Sequence, residues 1–349
     1  ESWNNKGATL YRLKRYDESI QCYDQAIELN PDFDEAFNNK GSALFNLKRY
    51  QDAVACFDSA IDIEPDFTRA WINRANALGQ LGRHDEAINS YDRAIEIEPE
   101  NKHAWNNRGN ALRELSRYED AVESYDKAID IDSDYESAWT NKGNTLGKAG
   151  RYKEAIECYD KAIAINADYE LAWNNKGYAL VNLGRLTDAL SCYEKAIELK
   201  DDYSEAWNNM GNAYYSLRKT KDAVRCYDQA IAHNEEYDEA WFNKGVALSM
   251  MGEHDTALAA YEQAIEINPE YEDAWASKGT SLYQQQRYED AIKAYDMALE
   301  VNPDNDNTWR FKGDVFQYLQ QPDAAKQCYE QALSINPNNK EANERLERL

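Results

Sequence analysis

Apolar and small residues recur along this chain on two superposed periods. Within short blocks they stand three or four positions apart, the spacing of one face of an α-helix, as in the run from Trp3 to Leu13. The blocks themselves return every 34 residues. Trp71, Trp105, Trp139, Trp173, Trp207, Trp241, Trp275 and Trp309 mark the interval, and Trp3 and Phe37 extend it backwards. Four positions after each aromatic comes a small residue: Gly7, Gly41, Ala75, Gly109, Gly143, Gly177, Gly211, Gly245, Gly279 and Gly313. A second helical face follows, carried by Ala53 to Ala325 (Ser19 in the first unit), an aromatic such as Tyr23, Phe57 or Tyr91, and alanines from Ala26 to Ala332. Two apolar faces per unit predict a helical hairpin, and ten such units occupy residues 1–339.

The connection inside a unit is short. Gly82 and Gly150 sit where a left-handed residue would close the first helix. Between units, Asn30-Pro31-Asp32, Glu98-Pro99-Glu100 and Asn268-Pro269-Glu270 stop the second helix with a proline. Four successive units have Ser133, Ala167, Asp201 and Glu235 there instead, so their turns are expected to be held less stiffly. Residues 340–349 open an eleventh first helix with Asn343 at the aromatic position, which predicts a solvent-facing C-terminal cap. The first unit lacks its first residue, and the chain is expected to be a fragment with no N-terminal cap.

Charge and reactive side chains narrow the function. Acidic residues outnumber basic ones 64 to 39, and a net charge of −25 opposes binding to nucleic acid or anionic lipid. No apolar run approaches the roughly 20 residues of a membrane span. Cys22, Cys56, Cys158, Cys192, Cys226 and Cys328 share one position of the period and form no CxxC pair. Equivalent positions on stacked hairpins stand too far apart for a disulfide, so these cysteines read as packing residues in a reducing, cytoplasmic setting. His84, His103, His233 and His254 come with no nucleophile, phosphate loop or metal-ligand spacing, and no enzyme, cofactor or metal is expected.

A 34-residue helix pair with Trp, Gly, Ala, Tyr, Ala and Pro in this order resembles the tetratricopeptide repeat, over residues 1–339. The wording Trp-Asn-Asn-Lys-Gly-Asn and Cys-Tyr-Asp-Lys-Ala-Ile is similar to long arrays of methanogenic archaea and other microbes. The resemblance implies an all-α fold, a right-handed superhelical α-solenoid of helix-turn-helix repeats. It also implies that first helices line a concave groove that takes peptides or partner proteins.

The candidate groove residues follow from that placement. Two positions after the aromatic stand Asn5, Asn39, Asn73, Asn107, Asn141, Asn175, Asn209 and Asn243, then Ser277 and Phe311. A carboxamide both donates and accepts, so such a row can pair with peptide backbone whatever the side chains. The row resembles the asparagine series of O-GlcNAc transferase and kinesin light chains, where asparagines hold peptide backbone; local hydrogen bonding is the alternative use. One turn on come Asn76, Asn110, Asn144 and Asn212, with the central repeats richest in amides. Arg69 and Arg113, with His103 and Lys148, make the middle of the groove less acidic than its ends. Lys or Arg before the small residue in nine repeats reads as a stem packed between helices with its head on a carboxylate. The two-carboxylate clamp of chaperone adaptors is absent, since Asn4, Asn38, Ile72, Asn106 and Thr140 follow the first five aromatics.

The sequence thus points to a scaffold that binds an extended peptide or partner segment in its groove. Two alternatives stand beside it: self-assembly through the uncapped N-terminal repeat, at which Trp3 and Leu10 are expected to be exposed, and the targeting module of a larger enzyme.

Overall fold

The computed structural model describes residues 1–349, and the fold is all-α, with twenty-one helices and no strand. The chain forms two compact units, Glu1–Ala179 and Leu180–Leu349. The first holds α1 (Ser2–Arg12), α2 (Tyr16–Leu29), α3 (Asp34–Asn46), α4 (Tyr50–Ile63), α5 (Thr68–Gln80), α6 (His84–Ile97), α7 (Lys102–Glu114), α8 (Tyr118–Ile131), α9 (Glu136–Lys148), α10 (Tyr152–Ile165) and most of α11 (Glu170–Asn182). The second continues from the end of α11 through α12 (Leu186–Leu199), α13 (Ser204–Ser216), α14 (Thr220–His233), α15 (Asp238–Met250), α16 (His254–Ile267), α17 (Glu272–Gln284), α18 (Tyr288–Val301), α19 (Asp306–Tyr318), α20 (Pro322–Ile335) and α21 (Lys340–Glu347).

Within each unit, leaving α11 aside, each odd-numbered helix from α1 to α9 and from α13 to α19 pairs with the even-numbered helix after it, and α2, α4, α6, α8, α12, α14, α16, α18 and α20 pack on the next odd one. Within the first unit α1, α3, α5, α7 and α9 also touch in succession, as do α13, α15, α17, α19 and α21 in the second; no even-numbered helix touches another. The first helices of the hairpins are therefore the closer-packed inner row of each unit.

Inside a hairpin the close approach is made by a tyrosine against glycine. A Cβ added at Gly109 would stand 2.6 Å from the Tyr125 ring, and the same crowding meets Gly7 with Tyr23, Gly41 with Phe57, Gly143 with Tyr159 and Gly211 with Tyr227. The rings are buried, and fully buried alanines such as Ala36, Ala70, Ala87 and Ala121 let the helices approach around them. Ala75 is the departure that repeat three tolerates, with Tyr91 still buried beside it.

The tryptophans secure the turns between hairpins. Each lies half-exposed and donates from Nε1 to the carbonyl six residues earlier: Trp71 to Pro65 at 2.9 Å and Trp105 to Pro99 at 2.9 Å. Without proline the bond is the same, from Trp139 to Ser133, Trp173 to Ala167, Trp207 to Asp201 and Trp241 to Glu235, each at 3.0 Å. The turns expected to be looser keep this geometry because tryptophan, present in both kinds, supplies the constraint.

Two further features differ from the sequence reading. The left-handed residue that closes a first helix is glycine only at Gly82, Gly150, Gly184 and Gly252; Lys14, Lys48, Ser116, Arg218, Gln286 and Gln320 adopt φ between 57° and 62° at equivalent places. Leu10, expected to be exposed, is buried, because it packs inside its own hairpin, whereas Trp3 is 39% exposed.

Two outcomes test this packing by urea denaturation. Gly109→Val is expected to lower stability by about 1–3 kcal/mol, since the Tyr125 ring must leave its place. Gln286→Gly, which relieves a left-handed non-glycine residue, is expected to raise it by up to about 1 kcal/mol.

Candidate peptide-binding surface

The asparagines two positions after the aromatic, Asn39, Asn73, Asn107, Asn141 and Asn175 in the first unit, are half-buried on the inner row, and each donates from Nδ2 to the first helix before it. The acceptor is the residue after the preceding aromatic wherever that is asparagine: Asn39 bonds Asn4 at 3.1 Å, Asn73 bonds Asn38 at 2.9 Å and Asn141 bonds Asn106 at 3.0 Å. Where Ile72 or Thr140 stands instead, the donor turns one helical turn on, from Asn107 to Asn76 at 3.4 Å and from Asn175 to Asn144 at 2.8 Å. In the second unit Asn243 bonds Asn208 at 3.1 Å, and Asn209 holds the equivalent place on α13.

The second amide row faces the buried tyrosines. Tyr91, Tyr125, Tyr159 and Tyr227 donate their hydroxyls to Oδ1 of Asn76, Asn110, Asn144 and Asn212 at 2.6, 2.9, 2.8 and 2.7 Å. A phenol deep in a hairpin has one proton and needs an acceptor, so it turns the amide oxygen inward and the amino group outward. Further amides join the chain, because Asn106 donates to Asn107 Oδ1 at 3.1 Å. Asn141, Asn106, Asn107 and Asn76 thus form one line of donors and acceptors running back across three helices.

The sequence reading passed over the buried members of this line. Asn38, Asn106, Asn174 and Asn208 are almost fully buried, and of these only Asn38 and Asn106 entered, as evidence against a carboxylate clamp. The signal available was the Asn-Asn doublet after the aromatic and its exchange for Ile72 and Thr140 in the repeats where Asn76 and Asn144 take over.

The cations divide by position. Those before the small residue reach the preceding outer helix: Lys40 pairs with Asp24 at 2.6 Å, Arg74 with Asp58 at 2.6 Å, Arg108 with Asp92 at 2.6 Å and Lys142 with Asp126 at 2.5 Å. They also lie over tryptophan rings, Arg108 on Trp105 at 5.8 Å and Lys142 on Trp139 at 5.8 Å, so they join hairpins and do not charge the inner row. Arg69 is exposed near the start of α5, while Arg113, on the last turn of α7, lies 3.2 Å from Glu114, which offsets its charge.

Between α5 and α7 the inner row opens into a concavity of about 550 Å³ bounded by Phe45, Asn76, Gly79, Asn107, Asn110 and Glu114. Tyr11, Phe45, Tyr215 and Tyr283 occupy the position of Gly79 in other repeats, and a Cβ built on Gly79 meets nothing within 4 Å. Phe45, Ala75 and Tyr91 line the gap beside Gly79.

The six cysteines are free and buried, and burial pushes the thiols of Cys158 and Cys328 up to about 11. Such thiols stay protonated and poorly nucleophilic at neutral pH. No helix is long and apolar enough to cross a membrane.

The buried tyrosines give the structure a pH limit. Burial raises Tyr23, Tyr261 and Tyr295 from the ordinary value near 10 to about 12, and raises Tyr91, Tyr125, Tyr159 and Tyr227 as well. The fold favours the neutral phenol, so its contribution is complete below about pH 10 and is lost as pH rises through about 12. Alkaline titration is expected to show tyrosinate absorbance and loss of helical circular dichroism rising together; ionisation of these rings in a chain that stays helical would contradict the packing.

Comparison with known proteins bears on the whole chain. Tetratricopeptide-repeat profiles match residues 1–33, 34–67 and 137–169, and a further one matches 72–136. The profile of the C-terminal domain of cilia and flagella-associated protein 70 matches residues 168–349. No curated protein matches the sequence. Among solved structures, the APC/C hetero-tetramer Cut9-Hcn1 is similar at 16% identity over 99% of this chain and 75% of that one, with a TM-score of 0.57. Yeast Tom70 is similar at 15% identity over 99% and 94%, with a TM-score of 0.53. PilF of Pseudomonas aeruginosa shares 18% identity over 61% of this chain and 97% of that one, with a TM-score of 0.55. At these identities the likeness is one of fold.

Proposed function

We propose that this chain, which belongs to the tetratricopeptide-repeat family, is a protein-interaction scaffold that holds an extended peptide or partner segment along the inner helix row. The reading rests on the amide row of the first unit. Asn39, Asn73, Asn107, Asn141 and Asn175 each use one N–H on the neighbouring repeat, and a carboxamide has a second N–H and a carbonyl to offer. Asn76, Asn110 and Asn144 add amino groups turned outward by their tyrosines. An extended backbone presents carbonyls and N–H groups to such a row with little demand on its side chains, and the gap at Gly79 takes one side chain of the ligand. The role is non-catalytic.

The test must separate binding from the amides' work between repeats. Binding to a peptide array is expected to weaken about tenfold or more when Asn107, Asn141 and Asn175 are all changed to alanine, by loss of hydrogen bonds to the ligand. Asn106→Ala removes the acceptor of Asn141 yet leaves Asn141 on the inner row, so it is expected to reduce stability and keep binding. Equal loss in both variants would mean that the amides only hold the repeats together. Light scattering that shows concentration-dependent oligomers, with array binding unchanged, would favour self-assembly instead.

A further inference from the structure

Charge is sparse toward the ends of two inner helices of the second unit. The chain is 30% charged, yet residues 279–286 and 315–322, the ends of α17 and α19 with the turns after them, contain no Asp, Glu, Lys or Arg. The stretch equivalent to 279–286 is also uncharged in α5, α11 and α15, whereas α1, α3, α7, α9 and α13 carry Arg12 and Lys14, Lys48, Arg113 and Glu114, Lys148, and Arg218 there. In α17 and α19 these stretches are filled by tyrosine and glutamine.

The tyrosines form one cluster. Tyr283 and Tyr288 meet edge to face at 5.7 Å, Tyr288 and Tyr318 lie tilted at 4.5 Å, and Tyr283 meets Tyr318 at 6.3 Å. Tyr318 is 57% exposed, whereas Tyr283 and Tyr288 are anchored on the core of Leu282, Ala291 and Val315. Beside them lies a concavity of about 420 Å³ bounded by Tyr283, Gln284, Phe311, Gln317, Tyr318 and Arg345. Tyr329 Oη sits 2.9 Å from both Gln317 Oε1 and Asp314 Oδ1, with its single proton for one of the two, and the Gln317 amino group lies on the side away from Tyr329. The charge of Arg345 is met by Asp314 at 3.2 Å. What remains for a ligand is a set of phenol faces, phenol hydroxyls and amide donors.

We propose that this tyrosine face docks a proline-rich segment in the polyproline II conformation. Such a segment is already extended without internal hydrogen bonds, and its prolines have carbonyls to be met but no N–H. Prolyl rings pack on aromatic faces, and the carbonyls accept from tyrosine hydroxyls and the Gln284 and Gln317 amino groups, the general mode by which aromatic-lined grooves take such sequences. The match is also electrostatic: the segment brings no charge to desolvate, and the two charges at the face, Asp314 and Arg345, are already paired with each other. A charged peptide needs a counter-charge, and the charges at this face are already engaged with each other. The site is separate from the amide row of the first unit.

The test uses the full chain and a labelled oligoproline peptide followed by fluorescence anisotropy. Binding is expected to saturate, and Tyr318→Ala is expected to raise the Kd by about tenfold, the worth of one aromatic contact. Because Tyr318 is more exposed than buried, circular dichroism should be unchanged in that variant. Asn141→Ala, in the other unit, is expected to leave the Kd as it was, which separates this site from the amide row. No saturation, or a Kd indifferent to Tyr318→Ala, overturns the proposal. So does sedimentation showing a concentration-dependent dimer that Tyr318→Ala abolishes, since a second copy would then cover the face.

Discussion

A tyrosine ring laid on bare helix backbone is the contact from which the rest of each hairpin follows. The ring lies closest where its partner helix has hydrogen in place of a Cβ, as at Gly109 under Tyr125, and Ala75 beside Tyr91 is the one larger residue at that position. Once there, its hydroxyl is carried into the space beside the next turn of the inner helix, where water is scarce and an acceptor is required. Asn76, Asn110, Asn144 and Asn212 provide it, and Thr280 and Asp314 do so in later repeats. A packing requirement thereby fixes the orientation of amides that border the inner surface.

Cohesion between repeats is layered in a similar way. The amides join inner helix to inner helix, the lysine and arginine row joins each inner helix to the outer helix before it, and tryptophan secures the turn that links them. The ion pairs of this row are only partly buried: Lys142 is 19% and Asp126 46% exposed. Their worth is accordingly modest, and the alanine-lined helix contacts carry most of the stability.

How much of this was legible in the sequence depends on whether a residue acts within its own period or across it. Hairpins, turns and the packed cationic stems follow from spacing alone, because Trp, Gly, Ala and Tyr repeat with the same neighbours each time. The amide line was only half visible. Asn107 and Asn141 look identical in sequence, yet one bonds Asn76 and the other Asn106, a choice made by Ile72 and Asn106 in the preceding helices. The left-handed turn residues were also hidden, since Lys48 or Gln286 reaches φ near 60° only because the helices on either side leave no other path. The aromatic face of α17 and α19 escaped notice because its members are far apart in the chain and differ from one repeat to the next.

The direction of the amide bonds has a consequence for how such a chain can grow. Every donor from Asn39 to Asn141 points back to the repeat before it, and each of those repeats brings both a donor and an acceptor. A unit duplicated or deleted in frame would meet its new neighbour with the same complementary edge, so lineages can change the number of repeats there without redesigning a seam. Past Asn243 that freedom ends. Ser277 and Phe311 drop the amide, and Asn305 and Thr308 are tied instead to the particular carboxylate of Glu272, a lock that fits one neighbour and fixes the order of the last repeats.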